Sequence, residues 1–209
     1  MESGAATLCR RVGHSAAPMA SECSGPSAGS RGKHVHSDLK AGTHAFLHNS
    51  EYKYQAFKYP IAFNLIPQIG SPKHQGYTSE EMKMVKETRK IFEDEQIAIG
   101  VTCVRVPVLR AHCEAITFEC EKPITEDEVR AILSKAPGVR IVDDRAKNYF
   151  PMPIDASGQD DVLVGRIRKD LSDASGHSIS MFVSADQLLK GAALNAIQIA
   201  ELLPQRAMA

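Results

Sequence analysis

The 209 residues carry 25 Lys plus Arg against 25 Asp plus Glu, with 43% hydrophobic residues, 6% aromatic residues and no Trp. That length suffices for one sizeable core or two small ones, while a formal net charge of zero argues against a surface built mainly to neutralise nucleic-acid phosphates or anionic lipid. Apolar runs are only a few residues long, as in Ile61-Ala62-Phe63, where a bilayer span needs about 20.

Residues 1–50 differ in composition from the rest. Gly, Ser, Ala and Pro fill 24 of these positions, and Val, Ile, Leu and Phe only six. Such a stretch is expected to bury too little apolar surface to offset its ordering entropy, so residues 1–50 read as a largely disordered leader and 51–209 as the folded domain. Arg10, Arg11 and Arg31 among few acids fit an organellar transit peptide; an arbitrary, non-native start fits equally. The five cysteines include no CxxC pair, so neither a zinc ribbon nor a secreted disulfide framework is expected. A reducing compartment, cytoplasm or plastid, fits best.

From Tyr54 onward strands and helices alternate. Thr78-Ser79-Glu80-Glu81 is a capping box that opens a helix running to about Asp94, with Met82, Val85, Arg89 and Phe92 on one stripe. Two β-rich runs follow: Ile97 to Val108, and a second alternating Ile116, Phe118 and Cys120 against Thr117, Glu119 and Glu121, the pattern of a strand with one face buried. Another capping box, Thr125 to Glu128, opens a helix with Val129, Ile132 and Leu133 on its apolar face, ending before Pro137-Gly138. Val139–Val142, Val162–Ile167 and Ile179–Val183 are further candidate strands. Asp186 to Leu203 reads as a helix with Leu188, Leu189, Ala192, Ala193 and Ile199 on its apolar side. This order implies an α+β fold, a mixed, mostly antiparallel sheet covered by helices.

Several chemistries are missing from the pattern. There is no GxGxxG, GxxxxGK[ST] or HExxH, hence no encoded phosphate cradle or zincin helix. His34, His36, His44 and His48 crowd the leader without an accompanying carboxylate or cysteine pattern, so solvated histidines are expected rather than a metal site. The most informative run is Arg105-Val106-Pro107-Val108-Leu109-Arg110-Ala111-His112. Pro107 removes a ladder donor, so its strand must lie at an edge or end there, and a cation and an imidazole follow the turn. On chemistry alone, Arg105 in a surface ion pair and His112 as a loop histidine explain these residues as well, and Glu80 with Lys83 has the spacing of a solvent-facing pair.

Together with NLIPQIG, GYTSEEMKMVKETRKIF, APGVRIVDD, DDVLVGRIRKD and KGAALNAIQIAELL, the RVPVLRAH run closely resembles the second half of the aspartate-semialdehyde dehydrogenases, over about Tyr59 to Leu203. The resemblance is to the bacterial and plastid-type branch. It implies the C-terminal domain of the glyceraldehyde-3-phosphate-dehydrogenase-like type, a substrate-binding and dimerisation unit, and hence a homodimer, with the other sheet face expected to be apolar enough to need that partner. It further implies NADPH-dependent reduction of aspartyl phosphate to aspartate semialdehyde and phosphate, in aspartate-family amino-acid biosynthesis (lysine, threonine, methionine). By the same resemblance His112 falls on the family's acid/base, Arg105 on the residue for the substrate α-carboxylate, Glu80 or Glu81 on the group for the substrate ammonium, and Lys83 on the phosphate-binding lysine. Asn195 or Gln198 falls on the segment that touches the nicotinamide of NADP. These residue types suit those tasks: an imidazole titrates near working pH, and a guanidinium presents a planar fork to a carboxylate.

The departures are equally specific. No Gly-rich phosphate loop and no Asn-Cys-Thr or Asn-Cys-Ser nucleophile context occurs in these residues. Cys113 is adjacent to His112, but neighbours on an extended segment point in opposite directions, so an inert, buried thiol is expected. Two functions stay open: the catalytic and dimerisation half of such an enzyme, expected to be inactive alone, or a non-catalytic dimerisation and binding module derived from it. The acetylglutamyl-phosphate reductases are a weaker alternative.

Overall fold

The computed structural model describes residues 9–17 and 28–207, with side chains from Val35 to Leu203. Six strands form one sheet: β1 (Cys9–Ala17), β2 (Ala98–Cys103), β3 (His112–Cys120), β4 (Val139–Ile141), β5 (Val162–Lys169) and β6 (Ser178–Ala185), in the order β2-β1-β3-β6-β5-β4. The outer pairs β1/β2 and β4/β5 are parallel, and β1/β3, β3/β6 and β5/β6 are antiparallel. This is the expected mixed, mostly antiparallel α+β sheet. The helices are α1 (Ala28–Leu47), α2 (Ser79–Phe92), α3 (Glu126–Leu133), the short α4 (Pro153–Ala156) and α5 (Leu194–Ala207), the last preceded by a π-helical turn at Leu189–Ala193.

Both capping boxes form. In each, the threonine hydroxyl accepts from the third helical amide, and the glutamate there accepts from the threonine amide: Thr78 with Glu81, Thr125 with Glu128. Each satisfies two donors that a helix N-terminus would otherwise leave bare. Of the expected α2 stripe, Met82, Val85 and Arg89 are half-buried. Met84 and Val85 pack on Ile69, Val101 and Cys103, while Phe92 is exposed. On α3, Val129 and Leu133 join Cys120, Ile124, Val164, Ile167 and Ile179 as expected, whereas Ile132 points to solvent. The C-terminal segment is helical, but Leu188 and Ile199 of its expected apolar stripe are exposed.

Strand register explains the two faces. Ile179, Met181 and Val183 of β6 join the core under α3. The alternate positions are Ser178, Ser180, Phe182 and Ser184, paired across β3 with Glu119, Thr117, Ala115 and Cys113. Along β3 and β6 the second face therefore mixes Phe182, Ala115 and Cys113 with hydroxyl residues, Thr117 and Ser180 hydroxyls being hydrogen-bonded at 2.8 Å. At the β5 end it is closed by Ala111, Val142, Ala156 and Leu163.

Within the stretch read as a leader, the structure describes β1 and α1. Strand β1 lies inside the sheet, bonded to β2 on one side and β3 on the other, a placement that rests on backbone donors and acceptors and needs no apolar composition. Helix α1 buries Asp38, Gly42 and Ala45, an i, i+4, i+7 stripe in which none of the three is a large apolar residue. That is why a count of Val, Ile, Leu and Phe misses it. The boundary placed at residue 50 thus falls within the fold.

Candidate active site

The sheet gathers the candidate residues at one end. Strand β2 runs parallel to β1, and β1 antiparallel to β3. The same residue, Ala16, pairs with Cys103 at the end of β2 and with Glu114 near the start of β3. Those two levels are therefore two strand spacings apart, about 10 Å. His112 opens β3 opposite Ala185, the last residue of β6, so the C-terminal ends of β1 and β6 flank the start of β3, with that of β2 one strand further out.

Helix α2 is tied to that end by Glu81. Its buried carboxylate accepts from the Thr78 amide at 2.7 Å and from the Cys103 amide at 2.9 Å. Both oxygens of Glu81 thus hold backbone, and Glu80 is the one of the two that faces Lys83, at 3.6 Å. Arg105 follows two residues after Cys103. Proline 107 had implied an edge strand or a strand end. β2 is an edge strand, but it ends at Cys103, before it reaches Pro107, and Arg105 leaves it to exchange two backbone hydrogen bonds with Ile66 (2.9 and 3.0 Å). Its guanidinium lies 5.6 Å from the centre of the Phe57 ring.

The chain then turns through Ala111, which is fully buried with φ of 75°, a left-handed conformation that is costly for a residue with a Cβ. Immediately before it, Arg110 bonds the Asp186 carboxylate at 2.7 Å; immediately after it comes His112, half-buried. Asp186 has no exposed surface. Burial works against its ionisation, but the Gly158 amide, Arg110 and the Leu188 amide together outweigh burial and hold the carboxyl below its ordinary range. One carboxylate therefore joins the loop before His112, the segment after α4 and the start of the C-terminal helical segment. On that segment Lys190 donates to Gln198 at 2.7 Å, and Asn195 is half-buried one turn earlier.

Cys113 is buried and donates to the Ser184 hydroxyl at 3.3 Å. Burial pushes its thiol pKa up, against the smaller opposing effect of Ser184, the reverse of what a thiolate nucleophile requires. Glu114, two residues beyond His112 on the same strand face, has its pKa raised by burial. In the His-rich segment, the His44 and His48 rings stack at 4.1 Å, and no group of three metal-ligating side chains occurs among the described residues.

Sequence reasoning did not single out Asp186, Glu114 or Phe57, and marked Arg110 only as the cation that follows the Pro107 turn. Asp186 carried a usable signal, an acidic residue between a strand pattern and a helix pattern. Phe57 carried none.

The semialdehyde dehydrogenase dimerisation-domain family matches residues 19–190. The aspartate-semialdehyde dehydrogenase of Synechocystis sp. is 57% identical over 148 residues, 71% of this chain and 43% of that enzyme. The solved aspartate semialdehyde dehydrogenase II of Vibrio cholerae, complexed with ASA, matches with a TM-score of 0.85 at 40% identity, over 96% of this chain and 56% of that one. The Candida albicans enzyme, solved with NADP, is 20% identical with a TM-score of 0.65, over 97% of this chain and 52% of that one, a likeness of fold. The chain spans about half the length of the relatives it matches. With the sheet, the helix order and the match over residues 19–190 in agreement, the chain belongs to the semialdehyde dehydrogenase family and carries its dimerisation domain.

Proposed function

We propose that this chain is the substrate-binding and dimerisation half of an NADP-dependent aspartate-semialdehyde dehydrogenase, which reduces aspartyl phosphate to aspartate semialdehyde and releases phosphate. The observation that carries the reading is the arrival of Arg105, His112 and the Glu80–Lys83 pair at one end of the sheet, tied by the Glu81–Cys103 bond. Arg105 takes the α-carboxylate as a bidentate partner. Glu80 takes the ammonium, because both oxygens of Glu81 hold backbone amides. Lys83 takes the phosphate, and its exposed ammonium can leave Glu80 for it at little cost. His112 accepts the thiol proton and later returns one.

The nucleophile is assigned to a cysteine outside these residues, because none of the five has the Asn-Cys-Thr or Asn-Cys-Ser context and Cys113 is buried with a raised pKa. For NADP, the donor set fits only in part. Asn195 and Gln198 offer carboxamides suited to the nicotinamide amide, while no Gly-rich loop for the phosphates occurs in the sequence. When bound, the cofactor would supply the hydride; this chain's part is to bind and orient the substrate. A second copy of the chain is the proposed partner, through the dimerisation domain.

The lack of the nucleophile context favours one other reading, a non-catalytic module that retains the dimer surface and an anion site. NADPH production from aspartate semialdehyde and phosphate separates the two. The proposed half is silent alone and active with a separately expressed nucleotide-binding half, whereas a non-catalytic module stays silent in both.

A further inference from the structure

We infer that Phe57 is a positioning residue for Arg105, held in place by the buried Asp38, so that the segment from α1 to residue 57 aims the guanidinium. The inference rests on the reading of Arg105 as the α-carboxylate group for its purpose, but not for its geometry. Asp38 has no exposed surface, yet it lies in the middle of a helix, where its carboxylate has no capping task. Its oxygens accept instead from three consecutive amides across the loop, Gln55 at 2.9 Å, Ala56 at 2.7 Å and Phe57 at 3.2 Å, and from the Tyr52 hydroxyl at 3.0 Å. A buried carboxylate serving four donors fixes the backbone of the loop.

One turn along α1, Gly42 leaves the space that Tyr54 fills. A Cβ there would stand 2.7 Å from the Tyr54 hydroxyl oxygen and 2.8 Å from its ring. Tyr54 in turn meets Tyr52 edge-on at 5.1 Å. The loop is therefore pinned to α1 at two successive turns, and its last pinned residue, Phe57, presents its ring to Arg105. The backbone of Arg105 is fixed independently by its two bonds to Ile66. A long side chain on a fixed backbone still has several rotamers, and an aromatic face restricts a guanidinium without occupying the N–H fork that a carboxylate needs. Phe57 and Arg105 are both half-buried.

The test uses the 209-residue chain and nitrogen-15 NMR of arginine side chains, with the Arg105 Nε–Hε signal assigned by its loss in R105K. The expected result is a ring-shifted Hε resonance in the wild type. It moves into the common arginine envelope in F57L, recovers in F57Y, and moves likewise in D38N, while the backbone amide spectrum of β5 and β6 is unchanged. Should F57L fail to fold, F57M, flexible and apolar, takes its place. An Arg105 signal that is the same in wild type and F57L overturns the inference. In the assembled enzyme F57L is expected to raise KM for aspartate semialdehyde about three- to tenfold with kcat kept, and F57Y to restore it. A ring shift lost in F57L with KM unchanged overturns the positioning role. An Arg105 that is ring-shifted but whose R105L variant leaves KM unaltered contradicts the assignment of Arg105 to the carboxylate, and not its placement by Phe57.

Discussion

Arg110 and Asp186 form an ion pair at 2.7 Å across the end of the sheet from which His112 starts, with Asp186 wholly buried and Arg110 partly exposed. Because the folded carboxyl is held below its ordinary range, its contribution to stability is present above the unfolded pKa, about 3.9, and is lost as pH falls through the folded value. D186N is expected to lower stability at neutral pH by about 2–3 kcal/mol, less than for a fully buried pair because Arg110 retains water. The difference from wild type should shrink in acid, below about pH 4. Urea denaturation at several pH values checks this; a D186N deficit that is constant from neutral pH to pH 3 contradicts it.

Adjacent glutamates on α2 should behave differently. E81Q weakens the acceptor for the Thr78 and Cys103 amides and is expected to cost about 1–2 kcal/mol of stability. E80Q weakens the contact with an exposed Lys83 and is expected to cost less stability than E81Q. In the assembled enzyme the order reverses, with E80Q raising KM for aspartate semialdehyde. Thermal melts and steady-state kinetics on both variants decide the register.

How much could be read in advance divides along physical lines. Thr78 with Glu81 and Thr125 with Glu128 are local signals, and both helices start where those pairs place them. Strand periodicity found β3, but it could not show that Ser178, Ser180 and Ser184 would fill the opposite face, since small hydroxyl residues carry little pattern. The Asp38, Gly42 and Ala45 stripe lacks large apolar groups, so composition read α1 as leader. Arg105 and His112 stood out through their motif context, not their chemistry, which equally fits a surface cation and a loop histidine. Phe57 acts through a loop pinned by a residue 19 positions earlier in the chain, a relation that no local window contains.

Glu114 has the opposite titration behaviour to Asp186. Burial raises its pKa, so its contribution to stability declines as pH rises through the folded value and is fully present only below the unfolded one, about 4.3. E114Q removes that cost and is expected to equal or exceed wild type in stability at pH 7, with the gap closing by about pH 4. Thermal melts across that range test the sign; an E114Q that is less stable at pH 7 than at pH 4, relative to wild type, contradicts it.

Cys113 should be slow toward thiol reagents in the folded chain. Its burial and raised pKa disfavour the thiolate, so a disulfide reagent at pH 8 is expected to modify it only after unfolding in urea. C113S should leave assembled activity within about twofold, since the hydroxyl can still donate to Ser184.

The measurement closest to the central claim follows NADPH formation from aspartate semialdehyde and phosphate, using the chain alone and the chain mixed with a separately expressed nucleotide-binding half. Turnover is expected only in the mixture, and H112A should reduce it by about 10²- to 10⁴-fold, the contribution typical of a general acid/base. Robust turnover by the chain alone that disappears in C113S, or a mixture indifferent to H112A, would contradict the account.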